Sequence, residues 1–286
     1  MAYNVEGLTT YVKDNEAILV KDIVFGSTYG DVIPLMAKQL GIKTSERIHP
    51  TTVEALVRDV AEDGNCKFKP QGGLNISERT ITTHQKKVNM EFCTEDLLNK
   101  FAQYKVRVGA NEGAMPFEGE ILEGLVKSIN KQVEAGVWTD LWAANGLGAV
   151  VVNGNGAYDR IMDVYTKLPI EVLEDGIIFV APDVYREYVM ELVNKNLYHY
   201  NPANGDLNEM FLAGSGVKVR MARGLADGKI FATSPKNMIY GTDFLDNKEE
   251  IKVWFSDDDD VFKVKVRFNY GAQVAFPDLV VRGSKE

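Results

Sequence analysis

Cysteine and histidine are scarce in this 286-residue sequence, which contains two of the first and three of the second. Cys66 and Cys93 are too few for a disulfide framework or a zinc ribbon, and they are typical of free thiols in a reducing compartment. His49, His84 and His199 lie far apart and belong to no H-x-x-x-H or H-x-E pattern. The sequence therefore predicts neither a metal site nor a histidine-based catalytic centre.

Long apolar runs and a basic excess are also missing. No stretch approaches the roughly 18 apolar residues of a membrane span, and the N-terminal residues resemble no signal peptide. The formal net charge of −9 argues against a sequence-specific nucleic-acid binder, which needs a basic face. With 45% hydrophobic residues, the chain can form a sizeable core in one or two domains. Because it has neither a membrane span nor a signal peptide, we expect a soluble cytoplasmic protein.

The glycine-rich and acidic motifs do not favour catalysis. Gly154–Gly156 (GNG) follows a predicted strand and opens a predicted helix, but Asp159 replaces the third glycine of a dinucleotide fingerprint. Asp257–Asp260 lacks the ligand spacing of a calcium loop and is typical of a solvated turn. Gly214–Gly216 (GSG) has the wrong spacing for a nucleophile elbow. We therefore predict that the chain is not an enzyme and uses no cofactor.

An amphipathic helix is predicted over Met115–Trp138, the most strongly patterned stretch of the chain. Its apolar residues recur at helical spacing and define one face: Ile121, Leu122, Leu125, Val126, Ile129, Val133 and Val137. Polar residues, among them Asn130 and Glu134, lie between them. About 22 helical residues at 1.5 Å each give a rod of roughly 33 Å, so we interpret this helix as a spine that lies across a sheet.

Two kinds of β pattern follow the spine. The first is a β-α-β-α-β run that predicts a compact lobe, with strands at 149–152, 176–180, 217–219 and 229–232, helices at 158–165 and 184–197, and a long loop at 198–216. The second is an apolar–polar alternation over 251–255 and 262–268, on either side of the acidic turn. This alternation predicts an antiparallel sheet with one apolar and one basic face. The spine would cover that sheet, which makes the lobe an insertion.

The region before the spine is polar and hard to bury. Residues 65–92 suggest a long hairpin with turn chemistry at Pro70–Gly73, and such ribbons are marginal in water when isolated. The hairpin is either an extended loop on a neighbouring subunit or a mobile surface loop. A short helix is predicted at Thr51–Val60. Residues 1–35 show no sustained period, which fits either an arm over another surface or an ordinary N-terminal subdomain.

The order of arm, polar hairpin, spine, inserted lobe and returning strands resembles the major capsid proteins of tailed bacteriophages, whose Hong Kong-97-type fold is shared with encapsulins. The resemblance spans about residues 67–281. Its most specific parts are IYGTD at Ile239–Asp243, the strands around the acidic turn, and VAFPDLVV at Val274–Val281. The segment VNMEFCTEDLLNKF at Val88–Phe101 is similar to the strand and helix that follow the extended loop in that family.

The resemblance implies an α+β, Hong Kong-97-type capsid fold. Its parts are an N-terminal arm, an extended β-hairpin loop, a peripheral domain with a long spine helix and antiparallel sheet, and an inserted α/β axial domain. The implied divisions are 1–40 for the arm, 64–91 for the extended loop, 41–63, 92–140 and 238–286 for the peripheral domain, and 141–237 for the axial domain. Hinges are expected near Gly109, Gly113 and Gly146.

The implied function is that of a structural major capsid protein, which self-assembles into the icosahedral shell (head) enclosing the double-stranded DNA genome of a tailed phage. The expected location is the virion capsid, after assembly in the host bacterial cytoplasm. The expected partners are many copies of the chain itself in pentamers and hexamers, portal and decoration proteins, and packaged DNA by non-specific contact only, without a membrane. Because the sequence begins at Met1 with no room for a fused scaffolding segment, we expect a separate scaffold or none.

The same resemblance implies contact residues but no catalytic, cofactor-binding or metal residues. The implied inter-subunit contacts in the extended loop are Lys67, Lys69, Arg79, His84, Lys86 and Lys87. The implied axial tip residues are Tyr200, Asn201 and Asn204. Two other functions stay open: an encapsulin-type protein nanocompartment shell, and a nucleotide-using α/β enzyme built on residues 148–235.

Overall fold

The structure is a computed structural model that describes residues 6–26, 32–55, 72–93, 117–151, 156–197, 208–212, 214–243, 250–256, 258–259 and 261–285. The helices in these ranges are α1 (Glu6–Phe25), α2 (Phe117–Trp142), α3 (Ala157–Thr166) and α4 (Pro182–Asn194). The strands are β1 (Ala37–Leu40), β2 (Ser45–Ile48), β3 (Thr51–Glu54), β4 (Gly73–Ile76), β5 (Arg79–Thr82), β6 (His84–Cys93), β7 (Val150–Val151), β8 (Ile177–Val180), β9 (Glu209–Phe211), β10 (Lys218–Met221), β11 (Lys229–Thr233), β12 (Met238–Thr242), β13 (Glu250–Ser256), β14 (Val261–Val274) and β15 (Val281–Ser284). Among these helices, none is long and apolar enough to cross a membrane.

A five-stranded sheet is built around β14, the longest strand. Four of its strands have the order β1-β12-β14-β13. The fifth strand, β6, pairs with the edge of β14 opposite to β13. The alternation predicted for the C-terminal strands is confirmed, because buried and half-buried residues alternate from Val261 to Tyr270. Phe262, Val264 and Val266 are buried on the inner face, while the intervening Lys and Arg residues lie on the outer face.

Helix α2 lies against the inner face of this sheet. Its apolar face is buried as predicted, except that Ile121 is only partly buried. At Gly136 the two elements approach so closely that a Cβ atom would lie 2.0 Å from the Tyr270 hydroxyl oxygen. The end of the helix reaches a second sheet, the six-stranded sheet that contains β8 and β11. There the Trp138 ring meets the Phe179 and Phe231 rings edge-on at centroid distances of 5.2 and 5.7 Å. One helix therefore contacts both sheets.

Residues 6–25 form helix α1, although the sequence shows no sustained period there. Buried apolar residues recur along α1 at spacings of three, four and eight: Val12, Val20, Ile23 and Val24. The charged run at 13–16 hides this period in the sequence. Helix α1 packs against α2 and β13 of its own chain, and β1 then joins the sheet in parallel with β12. The described part of residues 1–40 therefore packs on its own chain.

Two polar residues of α2 are buried where the sequence placed them on the solvent face. The Asn130 side-chain amide donates to the carbonyl oxygen of Asp22 at 3.0 Å, and a Glu134 carboxylate oxygen accepts from the Val32 amide at 2.8 Å. Periodicity predicted solvent at these positions. Burial is tolerated because the end of α1 and the start of the next segment supply hydrogen-bond partners.

A polar two-stranded ribbon is present, but it is not the hairpin that was predicted within residues 65–92. Strand β2 pairs with β5, and β3 pairs with β4, so residues 45–54 and 73–82 form a two-stranded antiparallel ribbon. The helix predicted at 51–60 is wrong over Thr51–Glu54, where the β-branched run TTV pairs with Gly73–Ile76 instead. The second predicted hairpin strand, β6, belongs to the five-stranded sheet.

The lobe contains a six-stranded sheet of order β7-β15-β11-β8-β10-β9, with α3 and α4 packed against it. The predicted lobe elements are found, although the predicted loop at 198–216 contains strand β9. One pairing departs from the implied division of the chain. Strand β15, which that division gave to the peripheral domain, is hydrogen-bonded between β11 and β7 in the lobe.

Candidate functional site

The root of the ribbon is fixed to the five-stranded sheet. Ile81 is fully buried, and the Thr83 hydroxyl donates to the carbonyl oxygen of Ile42 at 3.2 Å. At Gly271 a Cβ atom would lie 2.1 Å from the Thr82 carbonyl oxygen. This contact requires glycine in β14, because any side chain there would push the ribbon away from the sheet.

The distal half of the ribbon is exposed on both faces. Thr51 lies opposite Ile76 and Val53 opposite Leu74, and directly opposite residues share a face. One face is therefore apolar, with side chains that are 69% (Val53), 63% (Leu74) and 57% (Ile76) exposed. This apolar ribbon face has no cover within the described part of the chain.

Arg79, an implied inter-subunit residue, is half-buried in contacts with its own chain. Its guanidinium donates to the Asn145 carbonyl oxygen at 2.6 Å and to the Gln273 side-chain oxygen at 3.3 Å. The Gln273 amide in turn donates to the Thr80 carbonyl oxygen at 3.0 Å. Burial lowers the pKa of Arg79, and the charge of Asp278 acts in the opposite direction. The side chain ties the ribbon root to the segment that follows α2.

His84 and Lys86 lie at the start of β6, where the ribbon enters the sheet. His84 is paired with Tyr270, and the Lys86 ammonium lies 5.5 Å from the centre of the Tyr270 ring. Burial raises the pKa of the nearby Asp140 carboxyl, whereas His84 and Lys86 lower it. His84 and Lys86 are both exposed and form a charged cluster with Asp140 of α2 in their own chain. Arg79 lies outside this cluster.

Lys87 lies on the opposite, outer face of the sheet. It is paired with Arg267, and Lys265 is paired with Lys252, so two like-charged pairs occur on this face. A shallow groove of about 510 Å³ runs beside them. The residues that line the groove are Lys87, Asn89, Met90, Glu91, Trp254, Lys263, Val264 and Lys265. The basic face predicted from the alternation is therefore present.

The N-terminus of α3 is the place where a nucleotide-binding fold would hold a phosphate. In this chain the Glu191 carboxylate fills it, accepting from the Ala157 amide at 2.7 Å and from the Tyr158 amide at 3.2 Å. A Cβ atom at Gly156 would lie 2.3 Å from Glu191. The glycine admits a carboxylate of the same chain, which would repel and displace a phosphate.

Several predicted residues lie outside the described residues and stay predictions: Lys67, Lys69, Tyr200, Asn201 and Asn204. Within the described ranges, no group of three or more His, Cys, Asp and Glu side chains could hold a metal ion, and Cys93 is exposed. Sequence reasoning missed the apolar ribbon face. Its signal was the alternation of Leu74 and Ile76 around Asn75, which is typical of a strand with one apolar side.

Comparisons with known proteins address the fold. No protein-family model matches the chain, and no curated protein matches its sequence. Solved structures match over nearly the whole length. A chain of the satellite phage P4 procapsid, a structure that includes the size determination protein, has a TM-score of 0.61 at 11% identity, covering 100% of this chain and 93% of that one.

Two further structures give the same result. The capsid of an empty GTA particle has a TM-score of 0.56 at 12% identity, covering 90% of each chain. A virus-like particle from Pyrococcus furiosus has a TM-score of 0.55 at 10% identity, covering 93% of this chain and 96% of that one. The chain therefore has the mixed helix-and-sheet fold of phage capsid proteins, which confirms the resemblance that the sequence suggested at the level of the fold.

Proposed function

We propose that the chain is a structural major capsid protein that assembles into the icosahedral head of a tailed phage around its DNA. The observation that carries this proposal is the apolar ribbon face, which is anchored at its root and exposed at its distal end. The capsid fold over the whole chain supports the same function. The expected location is the virion, after assembly in the host cytoplasm.

The ribbon requires a second surface for physical reasons. A two-stranded ribbon is marginally stable in water, and three exposed aliphatic side chains on one face add an unfavourable contact with solvent. Packing on another copy removes that contact. Because the ribbon of one copy would meet a different surface of the next, the contact is heterologous, and repeated heterologous contacts close into rings and shells.

The parts of a capsid protein are assigned to the fold as follows. Helix α2 is the spine, the five-stranded sheet belongs to the peripheral domain, and the six-stranded sheet belongs to the axial domain. Residues 198–216 are the axial tip, which gathers copies into pentamers and hexamers. Scaffold, portal and decoration proteins, and non-specific contact with DNA, are partners inferred from the resemblance.

The two other functions have less support. The reported structures are phage, GTA and virus-like particle capsids, so an encapsulin-type compartment is not favoured. A nucleotide-using enzyme would need an open phosphate site at the start of α3. Glu191 occupies that position with hydrogen bonds to two backbone amides, which opposes phosphate binding by charge and by volume.

Electron microscopy and analytical ultracentrifugation of the purified chain test the proposal. The wild-type chain is expected to form shells or tubes. The double variant Leu74→Glu, Ile76→Glu places two charges on the apolar ribbon face and is expected to remain unassembled. At a protein concentration too low for assembly, its melting temperature should stay close to that of the wild type, because substitutions at exposed positions change stability by only about 0.5 kcal/mol.

The matched control places the same two charges on the opposite ribbon face. Thr52 and Asn75 are paired with each other and are exposed, so Thr52→Glu, Asn75→Glu should assemble. A wild-type chain that forms only small discrete particles would contradict the proposal. Equal assembly by both double variants would show that the apolar ribbon face is not needed for assembly.

A further inference from the structure

The segment between α2 and the lobe, residues 143–149, is short and rich in small residues. We call it the linker; its sequence is AANGLGA. Gly146 has a φ of +80°, a backbone conformation that favours glycine. Small residues provide few side-chain contacts that could fix the direction of the chain. The path of the linker therefore depends on what binds its backbone.

Two arginines from distant parts of the chain bind that backbone. Arg79, on the ribbon, donates to the Asn145 carbonyl oxygen at 2.6 Å. Arg282, on strand β15 of the lobe, donates to the carbonyl oxygens of Leu147 and Gly148 at 3.4 and 2.5 Å. The ribbon and the lobe are thus attached to neighbouring peptide groups of the linker.

The same arginine of the lobe also binds the end of α2. Arg282 donates to the Trp142 carbonyl oxygen at 3.0 Å, and its guanidinium lies 5.4 Å from the Trp142 ring centre. The Lys229 ammonium lies 4.4 Å from that ring. Cations at a helix C-terminus interact favourably with the helix dipole. Arg282 of the lobe therefore binds both the end of α2 and the linker.

Both arginines are partly buried where they bind these carbonyl oxygens. Burial lowers the pKa of Arg79 and of Arg282. A Cβ atom at Gly146 would lie 3.4 Å from Pro277 and 3.5 Å from the Arg79 guanidinium, so the ribbon arginine and the segment before β15 both contact this exposed part of the linker. Gly146, which the sequence suggested as a hinge, is held in place in this conformation.

We propose that Arg79 and Arg282 form a latch that couples the direction of the ribbon to the angle of the lobe. Because both side chains bind the same stretch of backbone, a displacement of the linker changes the contacts of both. The bonds to the linker reach exposed backbone carbonyl oxygens, so they can break and re-form as the angle changes. Coupling of this kind is reciprocal: a change on the lobe side is felt at the ribbon and the reverse.

Hydrogen exchange of the purified chain, followed by mass spectrometry, tests the latch. Arg282→Gln is expected to speed exchange in the linker and also in ribbon strand β5, which it does not touch. Arg79→Gln is expected to speed exchange in the linker and in β15. Each increase should be about tenfold or more, as expected for the loss of a charged hydrogen bond.

The control is Arg47→Gln, which removes an exposed ribbon arginine that forms an ion pair with Glu78 at 3.0 Å. It should leave linker exchange unchanged. If the Gln variants do not fold, Arg79→Lys and Arg282→Lys keep the charge but lose the forked geometry, and should show the same pattern with smaller factors. Effects confined to the mutated element would overturn the latch. The outcome is independent of shell formation, because coupling is read within one chain.

Discussion

Neither residues 6–40 nor the ribbon shows a sustained hydrophobic period in sequence, yet the two segments end in opposite environments. Helix α1 is bound by its own chain at the carbonyl oxygens of Asp22 and Val24, and its apolar face is buried. The distal ribbon has an apolar face of similar chemistry that remains exposed. The comparison shows that the lack of a clear hydrophobic period does not by itself identify a segment that needs a second copy. What distinguishes the two is whether the same chain provides hydrogen-bond partners and apolar cover.

A matched pair of isoleucines gives the largest expected difference between the two segments. Ile23 in α1 is 1% exposed, so Ile23→Ala should lower the free energy of unfolding by about 2–5 kcal/mol. Ile76→Ala, on the ribbon, should change it by only about 0.5 kcal/mol. Urea unfolding at a protein concentration too low for assembly measures both. Similar losses at the two positions would mean that the ribbon is covered in the isolated chain.

A pair of glycines in α2 tests the covered and uncovered sides of that helix. Gly136→Ala would force a methyl group against Tyr270 and should destabilise the fold by about 1–3 kcal/mol. At Gly124, where a Cβ atom meets nothing within 4 Å, alanine should stabilise the fold by about 1 kcal/mol through helix propensity. Thermal unfolding of both variants gives the two signs. Higher stability of Gly136→Ala would mean that the helix lies further from the sheet than the structure shows.

The bond between Tyr240 and α1 can be removed with little change in shape. The Tyr240 hydroxyl donates to the Val24 carbonyl oxygen at 2.7 Å. Tyr240→Phe should therefore lower stability by about 0.5–1.5 kcal/mol and speed amide exchange in α1. Tyr165→Phe, which removes a hydroxyl from α3 of the lobe, serves as the control. Unchanged exchange in α1 would show that this bond does not hold the helix.

The smallest expected effect concerns Asp140, beside the start of β6. Burial raises its pKa, so the folded chain binds a proton more readily than the unfolded chain. Stability should therefore fall as pH rises from the ordinary pKa of Asp, about 4, through the raised value. Asp140→Asn should remove this fall. Urea unfolding at several pH values measures it, and identical profiles for the two proteins would contradict the assignment.

Strong periodicity in the sequence predicted the parts of the fold that one element determines by itself. Helix α2 and the β13–β14 hairpin were predicted because their apolar residues keep one period for several turns or pairs. Helix α1 was missed because a charged run interrupts its stripe. Asn130 and Glu134 were placed in solvent because periodicity does not show which partners a distant segment brings.

Strand pairing was the least predictable part of the candidate site. Thr51–Glu54 fits a helix by the spacing of its apolar residues and a strand by its β-branched residues. The strand forms because the segment pairs with Gly73–Ile76, which is not adjacent to it in the sequence. Arg79 looked like a surface contact because it lies in a polar stretch. Its partners, Asn145 and Gln273, are remote in sequence, and no local pattern could have revealed them.

Strand β15 has a consequence for how the chain reaches its fold. It completes the lobe sheet between β11 and β7, and about 130 residues separate it from β7. During synthesis, β7, β8 and β11 emerge before the strand that lies between two of them. Because contacts so distant along a chain form slowly, the lobe would keep an unpaired edge until β15 has been synthesised, and chaperones or early assembly would have to tolerate it.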